Sequence, residues 1–214
     1  MLEIPKYTGQ IPVADTAVII VDMQAGFMSS DYSLGKAGMD VRPLAQAVPG
    51  CVRLVQSARE AGVPVIFTRF VYAPDMSDFP RHRRDRSARR IELLSLAEGQ
   101  PEIEIISELA PRAGELVIDK SRPSSFYGTR LEPILTARGI RNLVVAGVTT
   151  SICVETTVRD AGQRDYHTFV VSDAVAEIEP NRHHYSLFNM AWSFAEIVTS
   201  DQVRAAWQGQ AAVG

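Results

Sequence analysis

Short apolar runs rich in β-branched residues recur along this chain. They lie at Thr16–Val21, 63–68, 116–118, 143–148 and 167–171, with a shorter sixth at 195–198. Runs of this length and composition read as strands buried on both faces. Helical patterns separate most of them. Leu44, Val48, Cys51, Val52, Val55 and Ala58 recur at helical spacing over 43–61, and Gly62 ends that helix. Further helices are expected over 129–139, after Cys153, and over 180–194, with a last one over 201–207 capped by Ser200. Strands alternating with helices in this way require a parallel sheet with helices on both faces. The 214 residues suit a single α/β domain over 1–214. Residues 1–15 read as an extended lead-in, 29–40 as a loop over one sheet edge, and 69–102 as a long irregular insertion.

In open α/β sheets, ligands bind at the carboxyl ends of the strands. Three chemistry-bearing residues stand at such ends: Asp22 after the first run, Lys120 after the third and Cys153 after the fourth. Each has an ordinary reading, as a turn aspartate, a solvated lysine or a small buried cysteine. Taken together they have a chemical one. Cys153 follows Thr149, Thr150 and Ser151, any of which can cap a helix, so it falls in the first helical turn. Free N–H groups and the dipole there favour a thiolate and can hold an oxyanion. Asp22 would take the thiol proton and return it to a leaving nitrogen, and Lys120 would stabilise both anions. Cys51 sits on an apolar helix face and reads as core.

The net charge of -3 gives no reason to expect nucleic acid or an anionic membrane as partner. Two cysteines argue against a disulfide scaffold and fit a reducing cytosol. No long apolar run or signal-peptide pattern is present, so a cytoplasmic protein acting on a small molecule is expected. Six arginines fall within residues 81–90, as a solvated loop, a subunit contact or an anion-attracting rim.

Three motifs carry a resemblance: Val-Ile-Ile-Val-Asp-Met-Gln at 18–24, Asp119-Lys120 with Ser125-Phe126 downstream, and Gly-Val-Thr-Thr-Ser-Ile-Cys-Val-Glu-Thr-Thr at 147–157. The chain resembles the isochorismatase-like cysteine hydrolases, which include nicotinamidases, N-carbamoylsarcosine amidases, biuret hydrolases and ureidoacrylate amidohydrolases. The resemblance runs from Thr16 to Val198. It implies a three-layer Rossmann-like fold with a six-stranded parallel sheet and a catalytic triad of Asp22, Lys120 and Cys153. It also implies a cis peptide between Val148 and Thr149, an oxyanion hole formed by the N–H groups of Thr149 and Cys153, and assembly as a dimer or tetramer.

Departures narrow the subfamily. Ala25-Gly26-Phe27 replaces the family's frequent Asn-Asp-Phe, leaving Phe27 as a pocket residue. The nicotinamidase Asp-x-His metal site is replaced by Thr68-Arg69-Phe70-Val71-Tyr72, so no metal and no cofactor is expected. Retention of Cys153 points to a covalent amidase cleaving a ureido, N-carbamoyl or carboxamide C–N bond through a thioester. Related substrates usually carry an anion, for which Arg69, Arg122 and an arginine from 81–90 are candidates. Phe126 and Val148 complete the expected substrate-binding set. The alternatives are an isochorismatase-type vinyl-ether hydrolase and a non-catalytic binding protein of the same fold.

Overall fold

The computed structural model describes residues 3–211. Its strands are β1 (Thr16–Val21), β2 (Val65–Phe70), β3 (Leu116–Lys120), β4 (Asn142–Val148), β5 (His167–Ala176) and β6 (Glu196–Val198). They form one parallel sheet in the order β3-β2-β1-β4-β5-β6. The strand order reverses between β1 and β4, the crevice where ligands of open α/β sheets bind. Every residue of β1 is buried, because both faces of the central strands are covered.

The helices are α1 (Ala25–Met28), α2 (Ser33–Lys36), α3 (Val48–Glu60), α4 (Ala88–Glu92), α5 (Leu131–Ala137), α6 (Glu155–Gly162), α7 (Pro180–Ser193) and α8 (Ser200–Ala211). α3 packs against α8 on one face of the sheet. α6 and α7 pack together, and right-handed crossovers put them on the other face. Among the described residues, no helix is long and apolar enough to cross a membrane.

Several expected boundaries move. β5 does not stop at residue 171. Its pairing with β4 shifts between Val145↔Val170 and Gly147↔Val175, and the strand continues to Ala176. Asp173, on this irregular stretch, accepts bonds from the Ser200 N–H (2.7 Å), the Ser200 hydroxyl (2.6 Å) and Arg53 (2.7 Å). Ser200 is thus spent on Asp173, and the cap of α8 falls to its neighbour. The Thr199 hydroxyl accepts from the Gln202 N–H, and the Gln202 side chain accepts from the Thr199 N–H, a reciprocal capping box. The helix expected over 43–61 begins with a tight 3-10 turn at Arg42–Ala47 before α3 proper. The insertion at 69–102 contains short helical turns rather than a featureless loop.

Gly147 shows why β4 can close on β1. Its φ is +116°, and a Cβ there would stand 2.0 Å from the Val21 carbonyl oxygen. Only glycine permits that approach, and it draws the end of β4 against the strand end that carries Asp22.

Candidate active site

Asp22 stands one residue beyond β1 with φ at +52°, a left-handed conformation unusual for a non-glycine residue. Its N–H donates to the Thr68 carbonyl (3.1 Å), and the Thr68 hydroxyl donates to its Oδ1 (2.8 Å). Lys120 ends β3, two strands away. Its chain runs back past Phe70, whose ring lies 4.5 Å from Nζ, and Nζ donates to Asp22 Oδ2 at 2.6 Å. Neither side chain has any exposure to solvent. The Arg122 carbonyl accepts a second bond from Nζ at 3.2 Å.

Cys153 lies in a π-helical turn, Thr150–Val154, that leads into α6. The sequence placed it in an ordinary first α-helical turn with a local hydroxyl cap. No local side chain caps this turn. Instead the Glu177 carboxylate, just past β5, accepts from the Ser151 N–H at 3.0 Å, and Arg182 approaches it at 3.4 Å. Helical terminal N–H groups are thus satisfied from a distant strand. The Val148–Thr149 peptide preceding the turn is cis.

The sulfur faces both Asp22 and Lys120. Burial pushes its pKa up to about 12, with Lys120 pulling it down and Asp22 pushing it up. The helix-dipole argument favoured a resting thiolate. Removal from water outweighs it here, so the resting group is a thiol beside a carboxylate able to accept its proton.

Cys153 borders a cavity of about 370 Å³ whose apolar wall includes Phe27, Leu34, Phe70 and Leu96. Of the residues the sequence pointed to, Phe27, Thr149, Arg122 and Cys153 line it, together with Arg81, Arg83 and Arg90 of the arginine-rich segment. Arg122 spends Nη1 on the carbonyls of Asp78 (3.0 Å) and Ser121 (2.6 Å).

Three other candidates lie outside the lining. Arg69 is clamped by Asp119 (2.8 Å) and Glu104 (3.1 Å), because alternate residues of a strand point to opposite faces. Phe126 packs against Tyr166 and under Arg164, its ring centroid 5.8 Å from that of Tyr166 and 5.0 Å from Arg164 Cζ. Val148 is fully buried in the sheet.

Residues that the sequence did not single out shape the cavity. Gln24 bonds the N–H (2.6 Å) and carbonyl (3.1 Å) of Phe70 and the carbonyl of Ile103 (3.0 Å). Glu102, buried, accepts from the N–H groups of Ser33 (2.8 Å) and Leu96 (2.6 Å), tying two cavity walls together. Tyr72 lines the cavity as well. Only Gln24, inside the Asp-Met-Gln motif, carried a sequence signal. Among the described residues, no cluster of three His, Cys, Asp or Glu side chains is placed to hold a metal ion.

The family model described as the Isochorismatase domain matches residues 16–202. The ureidoacrylate amidohydrolase RutB of Azorhizobium caulinodans is 32% identical over 209 residues, covering 92% of this chain and 92% of that protein. A cysteine hydrolase from Pseudomonas syringae pv. phaseolicola superposes with a TM-score of 0.84 at 32% identity, covering 96% of this chain and 98% of that one. The N-carbamoylsarcosine amidase of Thermoplasma acidophilum superposes with a TM-score of 0.66 at 30% identity, covering 87% and 96%.

Proposed function

From the premise that this chain belongs to the isochorismatase family, we propose that it is a cysteine amidohydrolase with Cys153 as nucleophile and Asp22 and Lys120 as its partners. Relatives named ureidoacrylate amidohydrolase and N-carbamoylsarcosine amidase support hydrolysis of a C–N bond in a small ureido, N-carbamoyl or carboxamide substrate. The observation that carries the reading is the Cys153 thiol facing a fully buried Asp22–Lys120 pair beside a largely apolar cavity.

The chemistry follows from that arrangement. Asp22 accepts the thiol proton as the sulfur attacks the substrate carbonyl carbon. The N–H groups of Thr149 and Cys153 are assigned to the oxyanion. As the C–N bond breaks, Asp22 returns the proton to the leaving nitrogen. A water then gives its proton to Asp22 and attacks the thioester, which is a thiocarbamate when the substrate is a ureide. The departing sulfur recovers the proton from Asp22. Lys120 pairs with the Asp22 carboxylate inside a dry site and offsets charge on the sulfur.

A cytoplasmic homo-oligomer is part of this reading. Exposed Tyr185 (52%) and Trp192 (76%) on α7 support self-association, which size-exclusion chromatography with light scattering tests.

Ammonia release from N-carbamoyl amino acids, biuret, ureidoacrylate, maleamate and nicotinamide tests the activity, in wild type and Cys153→Ala side by side. Turnover of a ureido or carbamoyl compound that the alanine variant abolishes is expected. Equal turnover by both proteins, or silence of the panel with turnover of isochorismate, would overturn it in favour of ether hydrolysis.

A further inference from the structure

We propose that the substrate carries a hydrocarbon arm, alkyl or aryl, beside the scissile group, and that Leu34 and Leu96 select for it. This rests on the amidase reading above for the reacting end, and on the build of the cavity for the arm.

The cavity is far larger than the reacting group needs. Its volume of about 370 Å³ is room for about a dozen waters at roughly 30 Å³ each. A bare ureido or carboxamide group fills a small part of that. Cavities from about 300 Å³ upward hold drug-sized ligands. Apolar surface also runs up to the reacting sulfur, since Ile152, directly before Cys153, lines the cavity and is 36% exposed. A small polar substrate leaves this surface wet, and an apolar arm gains by displacing the water.

The apolar wall is braced from behind. Glu102 accepts from the N–H of Ser33, the residue before Leu34, and from the N–H of Leu96 itself. Gln24 holds both the N–H and the carbonyl of Phe70. α1 backs Leu96 closely, so that a Cβ on Gly26 would stand 3.0 Å from Leu96 Cδ2. Buried hydrogen bonds and this contact stop the wall from shifting to close the space. The apolar space therefore exists before a ligand arrives, and little ordering is left to offset the gain on binding.

The polar lining is built from separate elements. Arg81, His82 and Arg83 form one short turn of the insertion, the first two exposed to water. Arg90, on α4, is bonded to Tyr72 and lies against Phe79, its Cζ 5.6 Å from the ring centroid. Arg122 donates to backbone carbonyls. None of these stands on α2 with Leu34, on β2 with Phe70, or in the turn that carries Leu96.

The test is kcat/KM along the N-carbamoyl derivatives of glycine, alanine, 2-aminobutyrate, norvaline and phenylalanine. These share one carbamoyl and one carboxylate group and differ only in the apolar side chain. In the wild type, kcat/KM is expected to climb about fourfold per added methylene, with the phenylalanine derivative above that of alanine. A flat or falling series overturns the proposal, while turnover itself keeps the amidase reading.

Leu34→Ala and Leu96→Ala, with folding verified by circular dichroism, should each lower the norvaline-to-glycine ratio of kcat/KM about 10-fold. Leu94→Ala, an exposed leucine outside the lining, should leave that ratio alone. An unchanged ratio in both folded variants overturns the assignment to Leu34 and Leu96. If neither variant folds, the wild-type series decides.

Calorimetric binding of the same series to Cys153→Ala separates the remaining outcomes. Affinity that climbs with the side chain, without wild-type turnover, keeps the apolar arm and removes the amidase. Absence of both binding and turnover overturns the proposal, and the amidase reading then stands or falls on the ammonia-release panel.

Discussion

Lys120 Nζ lies 2.6 Å from Asp22 Oδ2, and neither side chain meets solvent. The two residues are 98 positions apart and come from strand ends separated by β2. A buried pair of this kind is held by mutual dependence, since either charge alone would be stranded in a poorly solvated site.

Lys120→Met and Asp22→Asn should each lower stability by roughly 3–5 kcal/mol, because each removes one partner and leaves the other buried. The double variant should be more stable than the sum of the two losses predicts. Urea denaturation of all four proteins checks this. A double variant whose loss equals that sum would mean that the pair is not coupled. Activity should vanish in all three variants.

The Cys153 thiol, pushed up to about 12, should resist alkylation at neutral pH. For an acid with a raised pKa, the protonated form dominates until that pKa is approached, so little thiolate exists at pH 8. Inactivation by iodoacetamide should be much slower than modification of free cysteine at pH 8, and should still be climbing between pH 9 and 11. A rate that levels off near pH 8 contradicts the assignment. Mass mapping separates Cys153 from Cys51, whose thiol burial also raises.

Gly147→Ala should cost at least about 2–3 kcal/mol, because the new methyl meets the Val21 backbone and the positive φ is lost to it. Gly139→Ala faces only the φ penalty, with open space around it, and should cost about 1 kcal/mol. Thermal unfolding distinguishes them. Equal losses would mean that the approach of β4 to β1 does not require glycine.

Glu177→Ala should destabilise the protein by about 1–3 kcal/mol, leaving the Ser151 N–H unsatisfied and Arg182 unpaired. A fall in kcat should accompany it, since the turn that carries Cys153 loses its anchor. Glu177→Gln keeps an acceptor and should recover most of both. Stability loss with kcat intact in Glu177→Ala would confine Glu177 to a structural part.

Arg69→Met should change kcat/KM by less than about twofold and stability by no more than about 1 kcal/mol, since its partners Asp119 and Glu104 are 48% and 68% exposed. A large rise in KM would bring Arg69 back as a substrate contact.

What the sequence determined by itself is the architecture and the identity of the strand-end residues. Period and composition are local properties, so six buried runs with helices between them sufficed to give a parallel sheet. Asp22, Lys120 and Cys153 were visible because strand ends are visible. What tertiary structure decided is everything that depends on which side chain finds which partner. Arg69 and Arg90 look alike in sequence, yet one is clamped by Asp119 and the other borders the cavity. Ser200 reads as a cap, yet Asp173 claims it, because a shift in β5 pairing brings that carboxylate within reach. The protonation of Cys153 followed burial rather than its place in a helical turn. Hydrogen bonds, ion pairs and desolvation are set by distances across the fold, and neither spacing nor composition along a chain encodes those distances directly.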